Sequence, residues 1–346
     1  MIMKSKPSKI NMLILTEWEK DFKWHIPQLP AKDKKGELDI INIPFRLSGF
    51  FRWVFGILKI IRVLKKYDII VFRAITKTSV VLCFLERLKL IKLPFAVIAE
   101  LNLYEHDKSL RSAIRYKLFK LLYKNIGLFF PFSKAHCDYL HRLTGISREK
   151  YFPVFQAVDY LPVSKYPDAS GSKTGDYLLI PGRTGRDMKL LSKILKNYKK
   201  KAILVTNKKS VKKISFQKNI KILYDIPLKD LLNLMKKAKY ILIPLKDTEN
   251  PVGFRILFYA LQLKKAVIMT KTKHAAEYFP RNPPLVFVSP GDIKAVEDEM
   301  KKLENHPQTI EPLAKKAAFM LKNNFTSEYY IKTMYKMTLQ KYINFK

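Results

Sequence analysis

Twelve short apolar runs alternating with segments of helical periodicity constrain this chain more than any other feature. In the first half the runs are Asn11–Leu15, Asp39–Ile43, Asp68–Phe72, Phe95–Glu100, Gly127–Phe130 and Phe152–Phe155. Helical patterns lie between them near Phe50–Lys66, Ser79–Leu90, Lys108–Lys124 and Lys134–Leu143. The second half repeats the rhythm, with strands expected at Tyr177–Ile180, Ala202–Val205, Ile220–Tyr224, Tyr240–Ile243, Ala266–Met269 and Leu285–Val288. Helices are expected around Met188–Asn197, Leu228–Lys237 and Phe254–Leu263. Strands alternating with helices imply parallel, doubly wound sheets. The polar, turn-rich stretch Val163–Thr174 separates the two sets and reads as a linker. The chain closes with helices over Asp292–Asn305, Gln308–Asn323 and Ser327–Asn344. The expected class is therefore α/β, with two Rossmann-like domains, 1–165 and 175–325, facing across a cleft. A last helix, 326–346, is free to pack back on the first domain. Open sheets of this kind bind ligands at the carboxyl ends of their strands.

Composition narrows the partners. The chain has 346 residues, of which 48% are hydrophobic and only 11 are Gly, so it can bury two cores and is not a low-complexity polymer. Cys83 and Cys137 stand in different segments without a CxxC or His-spaced partner, which argues against a disulfide framework or a zinc site and for a reducing cytoplasm. The N-terminal apolar run is too short for a signal peptide and reads as a first strand. No window offers the ~20 apolar residues needed to span a bilayer. The formal charge is +37, with +16 through Lys165 and +21 after it, so both halves are basic and drawn to polyanions.

The stretch Tyr240–Tyr278 carries the most specific signal. A buried strand ends at Pro244, a loop follows with Asp247, Glu249, Asn250, Pro251 and Gly253, and a helix and a second strand come next. A strand, a glycine turn and a helix N-terminus make an anion site, because the first backbone N–H groups are unpaired and the helix dipole is positive there. The arrangement resembles the donor-site signature of GT-B glycosyltransferases of the family-4 type, in which such a helix, of pattern E-A-M-A-x-G-x-P-V-I, faces a nucleotide-sugar diphosphate. Here the run is Tyr259-Ala260-Leu261-Gln262-Leu263-Lys264-Lys265-Ala266-Val267-Ile268. The hydrophobic frame matches. The family's Glu is Tyr259, and its Gly and Pro are Lys264 and Ala266.

A second element, Tyr177–Lys189, runs from a strand through Gly182 and Gly185 into a helix start bearing Arg183, Arg186 and Lys189. It resembles the family's G-R-…-K element. The resemblance implies that Arg183 and Lys189 clasp the donor diphosphate, with Arg186 as a substitute. Fixed cations there would neutralise charge developing on the leaving group. Phe130–Asp138 and Tyr151–Asp159 extend the likeness, with Ser133 expected to cap a helix and Gln156–Asp159 to approach the cleft. The resemblance also implies a sugar-side role for Glu100 or His106 after the fourth strand, a ribose role for Glu249 near the family's first Glu, and a donor role for Glu277 in the following loop. No D-x-D follows a strand, so a metal-bridged diphosphate is not expected. The first loop, Thr16–His25, carries two Trp and several charges, suited to acceptor stacking or to a packed lid.

Two basic stripes remain. Arg52, Lys59, Arg62 and Lys66 recur along Phe50–Lys66, and Arg111, Arg115, Lys117, Lys120 and Lys124 along the helix after the fourth strand. Such helices read as membrane-surface elements or as core helices with solvated edges. The expected function is a retaining glycosyltransferase without metal or other cofactor, using a nucleotide-sugar donor. It would serve a glycan or lipid-linked acceptor in polysaccharide synthesis, peripheral on the inner, anionic face of the membrane. The alternatives are a non-catalytic GT-B-like subunit and a basic nucleic-acid-binding protein; nucleic acid is disfavoured because no RRM, helix-turn-helix or zinc pattern is present.

Overall fold

A computed structural model describes residues 10–16, 36–42, 50–101, 103, 109–157, 175–212, 214–306 and 310–345. The chain divides into two compact units, residues 1–155 with 327–346, and residues 156–326. The linker expected at 163–174 lies outside the described residues, as do His106, Asp159 and residues 17–25 of the first loop.

The first unit is built on β1 (Ile10–Thr16), β2 (Gly36–Asn42), α1 (Phe50–Val63), β3 (Ile69–Ala74), α2 (Lys77–Arg87), β4 (Phe95–Glu100), α3 (Leu110–Tyr123), β5 (Leu128–Phe129) and α4 (Lys134–Thr144). Every strand pairing is parallel, in the order β2-β1-β3-β4-β5. The steps β2 to β3, β3 to β4 and β4 to β5 all run the same way across the sheet. Right-handed crossovers then place α1, α2 and α3 on one face. Their inward residues Ile57, Ile60, Leu82, Cys83, Phe119 and Tyr123 share one core with Leu13, Leu15, Ile70, Phe72 and Ile98 of the strands. Side-chain caps start these helices where the sequence offers them: Thr76 accepts from Ser79 N–H, Ser109 from Ser112 N–H and Ser133 from His136 N–H.

The second unit holds β6 (Leu178–Pro181), α5 (Met188–Lys196), β7 (Ala202–Thr206), α6 (Lys208–Val211), β8 (Ile220–Tyr224), α7 (Leu228–Lys237), β9 (Tyr240–Ile243), α8 (Phe254–Gln262), β10 (Val267–Thr270), α9 (Lys273–Tyr278), β11 (Val286–Val288), α10 (Ile293–Asn305) and α11 (Ile310–Asn324). Its all-parallel sheet runs β11-β10-β9-β6-β7-β8. Strands β6, β9 and β10 are buried along their whole length, as befits a parallel sheet covered on both faces. The direction of winding reverses between β6 and β9, and a doubly wound sheet takes ligands at the carboxyl end of such a switch point. The last helix, α12 (Ser327–Phe345), returns to the first unit, where Tyr330 Oη donates to Ala99 O and Tyr342 Oη to Asp68 Oδ1.

Two expectations are corrected. Phe152–Phe155 is not a strand. Tyr151 makes a single parallel bridge to Phe129, and Phe152 N–H and Val154 N–H donate to Phe129 O and Pro131 O at 2.9 Å, but Pro131 has no N–H to return a bond, so no ladder forms. The Thr-rich segment after β10 is not all loop: Thr272 caps Ala275 N–H at 3.1 Å, and Lys273–Tyr278 turns helical.

Candidate functional site

The switch point of the second unit gathers two loops. One runs from Pro181 at the end of β6 through Gly182, Arg183, Thr184, Gly185 and Arg186 to Asp187, the N-cap of α5. The other runs from Pro244 after β9 to Gly253, the N-cap of α8. Backbone bonds tie them together, Asp187 N–H to Pro244 O at 3.0 Å and Lys246 N–H to Gly185 O at 2.9 Å, with an antiparallel bridge from Arg186 to Leu245.

Arg186 is the fastener. Its side chain is not the third solvent-facing cation that the sequence suggests beside Arg183 and Lys189; it is buried and turned back under its own loop. Nε and Nη2 donate to Pro181 O at 2.9 and 2.7 Å, and Nη1 donates to Thr184 O at 3.2 Å. A guanidinium can lie there because Gly182 adopts φ +128°, and a Cβ at Gly182 would collide with the guanidinium. Burial lowers the Arg186 pKa to about 10, which still leaves it charged at neutral pH. Its hydrogen-bond partners are carbonyls, so this buried charge has neutral acceptors around it and no carboxylate among the described residues. The result is a fixed positive charge beside the start of α8.

That helix start is itself bare. Gly253 stands at φ +90° and gives α8 no side-chain cap, whereas α5 and α9 are capped by Asp187 and Thr272. The first N–H groups of α8 and the helix dipole therefore face the switch point unneutralised. A Cβ at Gly253 would come to 3.1 Å from Leu245, and 3.5 Å from Arg186 Nη1.

The remaining expected residues distribute around this centre. Arg183 is exposed at the end of β6 and pairs at 2.9 Å with Asp225, which follows β8 and is equally open to solvent. Lys189 is exposed in the first turn of α5. Glu249 and Asn250 are half-buried in the loop before α8, and Glu249 pairs with Lys273 Nζ at 2.8 Å. Asp247 Oδ1 accepts from Lys273 N–H at 3.1 Å, and Thr248 O lies 3.1 Å from His274 Nε2. Glu277 is half-buried on α9. Tyr259 is buried six residues into α8, more than a turn from the helix start. Beneath the loops, Tyr278 stacks on Phe254 at 3.9 Å and on Phe325 at 5.7 Å, and its hydroxyl accepts from Gln156 N–H at 2.8 Å.

In the first unit, Glu100 ends β4, and Arg73 near the end of β3 holds its Oε1 at 3.4 Å through Nε and Nη2. Arg73 is buried and Glu100 half-buried, so the pair is fixed on the carboxyl edge of that sheet. Sequence reasoning missed Arg73, Asp225, Lys273 and His274. Asp225 and Arg73 could have been found, since each stands at the carboxyl end of a strand in a parallel sheet.

These two sheets and their helices make a GT-B fold, in two Rossmann-like units. Solved structures similar to the whole chain include a glycosyltransferase from Rickettsia africae ESF-5, at TM-score 0.62 and 15% identity over 97% of this chain and 99% of that one. Anabaena Alr3699/HepE, in complex with UDP and glucose, matches at TM-score 0.64 and 14% identity over 96% and 100%. Sucrose-phosphate synthase from Thermosynechococcus elongatus matches at TM-score 0.65 and 12% identity over 97% and 100%. No protein-family model matches the sequence, and no curated protein matches it.

Proposed function

We propose that this protein is a glycosyltransferase that takes a sugar from a nucleoside-diphosphate donor. The observation that carries the reading is the meeting, at one switch point, of a buried uncompensated guanidinium and an uncapped helix start, which together suit a diphosphate. In this reading the diphosphate lies over Gly182 and Gly253, with Arg183 and Lys189 closing on it from the solvent side. Arg186 contributes charge through the loop it holds rather than direct contact. Glu249 or Asn250 takes the ribose hydroxyls, which Tyr259 is too deeply buried to reach, and Glu277 takes the donor sugar. In transfer, an acceptor hydroxyl oxygen bonds to the anomeric carbon, the bond from that carbon to the phosphate oxygen breaks, and the hydroxyl proton passes to the departing phosphate. Arg183 and Lys189 stabilise the charge appearing on the departing nucleoside diphosphate. This assigns neutralisation to side chains rather than to a metal; retention of anomeric configuration is proposed from the family resemblance alone. Glu100, oriented by Arg73, and His106 serve the acceptor side, where the acceptor is a glycan or a lipid-linked glycan.

Titration calorimetry with UDP, GDP, ADP and CMP tests the reading. Saturable binding of one nucleoside diphosphate, weakened by Arg183→Ala, is the expected result, and no binding of UDP, GDP or ADP would overturn it. The burial of Tyr259 where the family's Glu stands favours a second reading, a GT-B subunit that does not catalyse transfer. Nucleotide binding without release of nucleoside diphosphate from any tested UDP-sugar, in the presence of lipid and glycan acceptors, would support that second reading.

A further inference from the structure

Helices α1, α2 and α3 lie on one face of the first sheet, and their outward sides are unusually apolar. On α3 the inward residues are Ser112, Tyr116, Phe119 and Tyr123. Almost diametrically opposite, Leu110, Ile114, Leu118 and Leu121 form a ridge at helical spacing, exposed by 78, 49, 51 and 44%. On α2, which packs against α3, Val80 and Phe84, with Leu88 at its C-cap, repeat the pattern at intervals of four, and on α1 Phe55 and Leu58 are open. Scattered exposed leucines are ordinary, but a ridge repeated on neighbouring helices of one layer marks a docking surface.

Charge says what docks. On the helical wheel, Arg111 and Arg115 flank one side of the α3 ridge, and Lys117, Lys120 and Lys124 flank the other; all five are exposed. The helix contains no Asp or Glu. Lys59 and Arg62 on α1 and Lys77 and Arg87 on α2 are exposed as well. An apolar ridge between two rails of cations is the pattern of a helix lying in the headgroup plane of an anionic bilayer, with its leucines dipped and its cations at the phosphates. Protein–protein contact regions are depleted in Lys, whereas Lys117, Lys120 and Lys124 line one whole side of this ridge. No helix among the described residues is long and apolar enough to cross a membrane, so the contact is one of lying on the surface.

We propose that the outer face of α2 and α3, with α1 at its edge, docks this protein on anionic lipid. The docking stands on this surface alone. Its consequence, delivery of a sugar to a lipid-linked acceptor, rests on the transferase reading given above.

Flotation with vesicles of phosphatidylcholine containing 30% phosphatidylglycerol (about a third anionic), against pure phosphatidylcholine, tests it. The intact protein should float with the anionic vesicles and detach as salt rises. Replacing Arg111 and Arg115 with Gln should lower the partition roughly 25-fold, at about fivefold for each cation near such a surface. Replacing Ile114 and Leu118 with Ser should lower it at least tenfold, because the buried apolar area is lost. These positions are exposed, so the variants should keep the parent melting temperature and UDP affinity. Equal flotation of both variants and the parent would overturn the proposal. So would a ridge-dependent dimer in light scattering without flotation, or salt-sensitive binding to oligonucleotides in its place. Flotation that follows the ridge in a protein that binds no nucleotide would sink the transferase reading and leave the docking intact.

Discussion

Replacing Arg186 with Leu isolates the part of the switch point that has most to do with its shape. The substitution removes three charge-assisted donors, two to Pro181 O and one to Thr184 O. Each bond of this kind contributes about 1.5–3 kcal/mol, so about 4–9 kcal/mol of favourable interaction is lost. Against it stands the desolvation of a lone buried cation, about 4 kcal/mol, which the substitution recovers. At the middle of the first range the net destabilisation is about 2–3 kcal/mol. At about 2–4 °C per kcal/mol for a domain of 150–250 residues, the melting transition of the second unit should fall by roughly 4–12 °C. Differential scanning calorimetry reads this directly. The structure adds a sharper requirement through Gly182, whose added Cβ would collide with the same guanidinium. Gly182→Ala alone should cost backbone strain of about 1–3 kcal/mol plus the displacement of Arg186. In the Arg186→Leu background only the strain remains, so the two changes should couple by about 1–2 kcal/mol. Additive effects, within about 0.5 kcal/mol, would refute the idea that Gly182 exists to admit this side chain. A melting temperature unmoved by Arg186→Leu would refute its role as fastener.

Three further outcomes follow from neighbouring groups. If Arg183 leaves Asp225 to close on a diphosphate, Arg183→Ala should weaken UDP binding by about 1.5–3 kcal/mol in calorimetry, while Asp225→Asn, which frees the cation, should leave it equal or stronger. Weaker binding in Asp225→Asn would show that the pair serves the loop instead. Glu249→Ala should reduce UDP affinity more than Tyr259→Phe does, since Tyr259 is buried within α8; the reverse order would move the ribose to the other residue. Burial holds the His274 pKa below its ordinary value of 6.5 despite the Thr248 carbonyl, so the folded state favours the neutral ring. That contribution is full above about pH 6.5 and is lost as the pH falls from there through the lowered value. Thermal stability should therefore drop on acidification below that pH, and His274→Gln should flatten the drop; an unchanged slope would place the acid sensitivity elsewhere.

Much of the architecture was readable because parallel strands buried on both faces leave uninterrupted apolar runs. Leu178–Ile180, Tyr240–Ile243 and Val267–Met269 are such runs, and each lies in a strand. Phe152–Phe155 reads the same way and fails because its neighbour cannot answer it: Phe152 and Val154 donate to Phe129 O and Pro131 O, but Pro131 has no N–H to return. The α9 helix was hidden because its signal is a single cap, Thr272, inside what looks like a loop. At the site, Gly182, Gly253 and the basic residues were all visible as residues. The inward turn of Arg186 was not, since its partners are backbone carbonyls, which have no letter in a sequence, and its room depends on one glycine's φ. The Arg183–Asp225 and Glu249–Lys273 pairs were equally hidden, because strand order decides which distant loops become neighbours.

The return of α12 to the first unit sets an order of events during synthesis. A ribosome releases β1 through α4 first and the whole second unit next, and only then the helix whose Tyr330 and Tyr342 bond to Ala99 and Asp68 and whose Tyr342 and Phe345 rings meet Phe95. At about 5–20 residues per second, the first sheet waits on the order of ten seconds or more with that side of β4 uncovered. The second unit, continuous in sequence, has no such wait. The nascent first unit is thus the stage at which this protein most needs a chaperone, and loss of the last ~20 residues would leave it in that state for good.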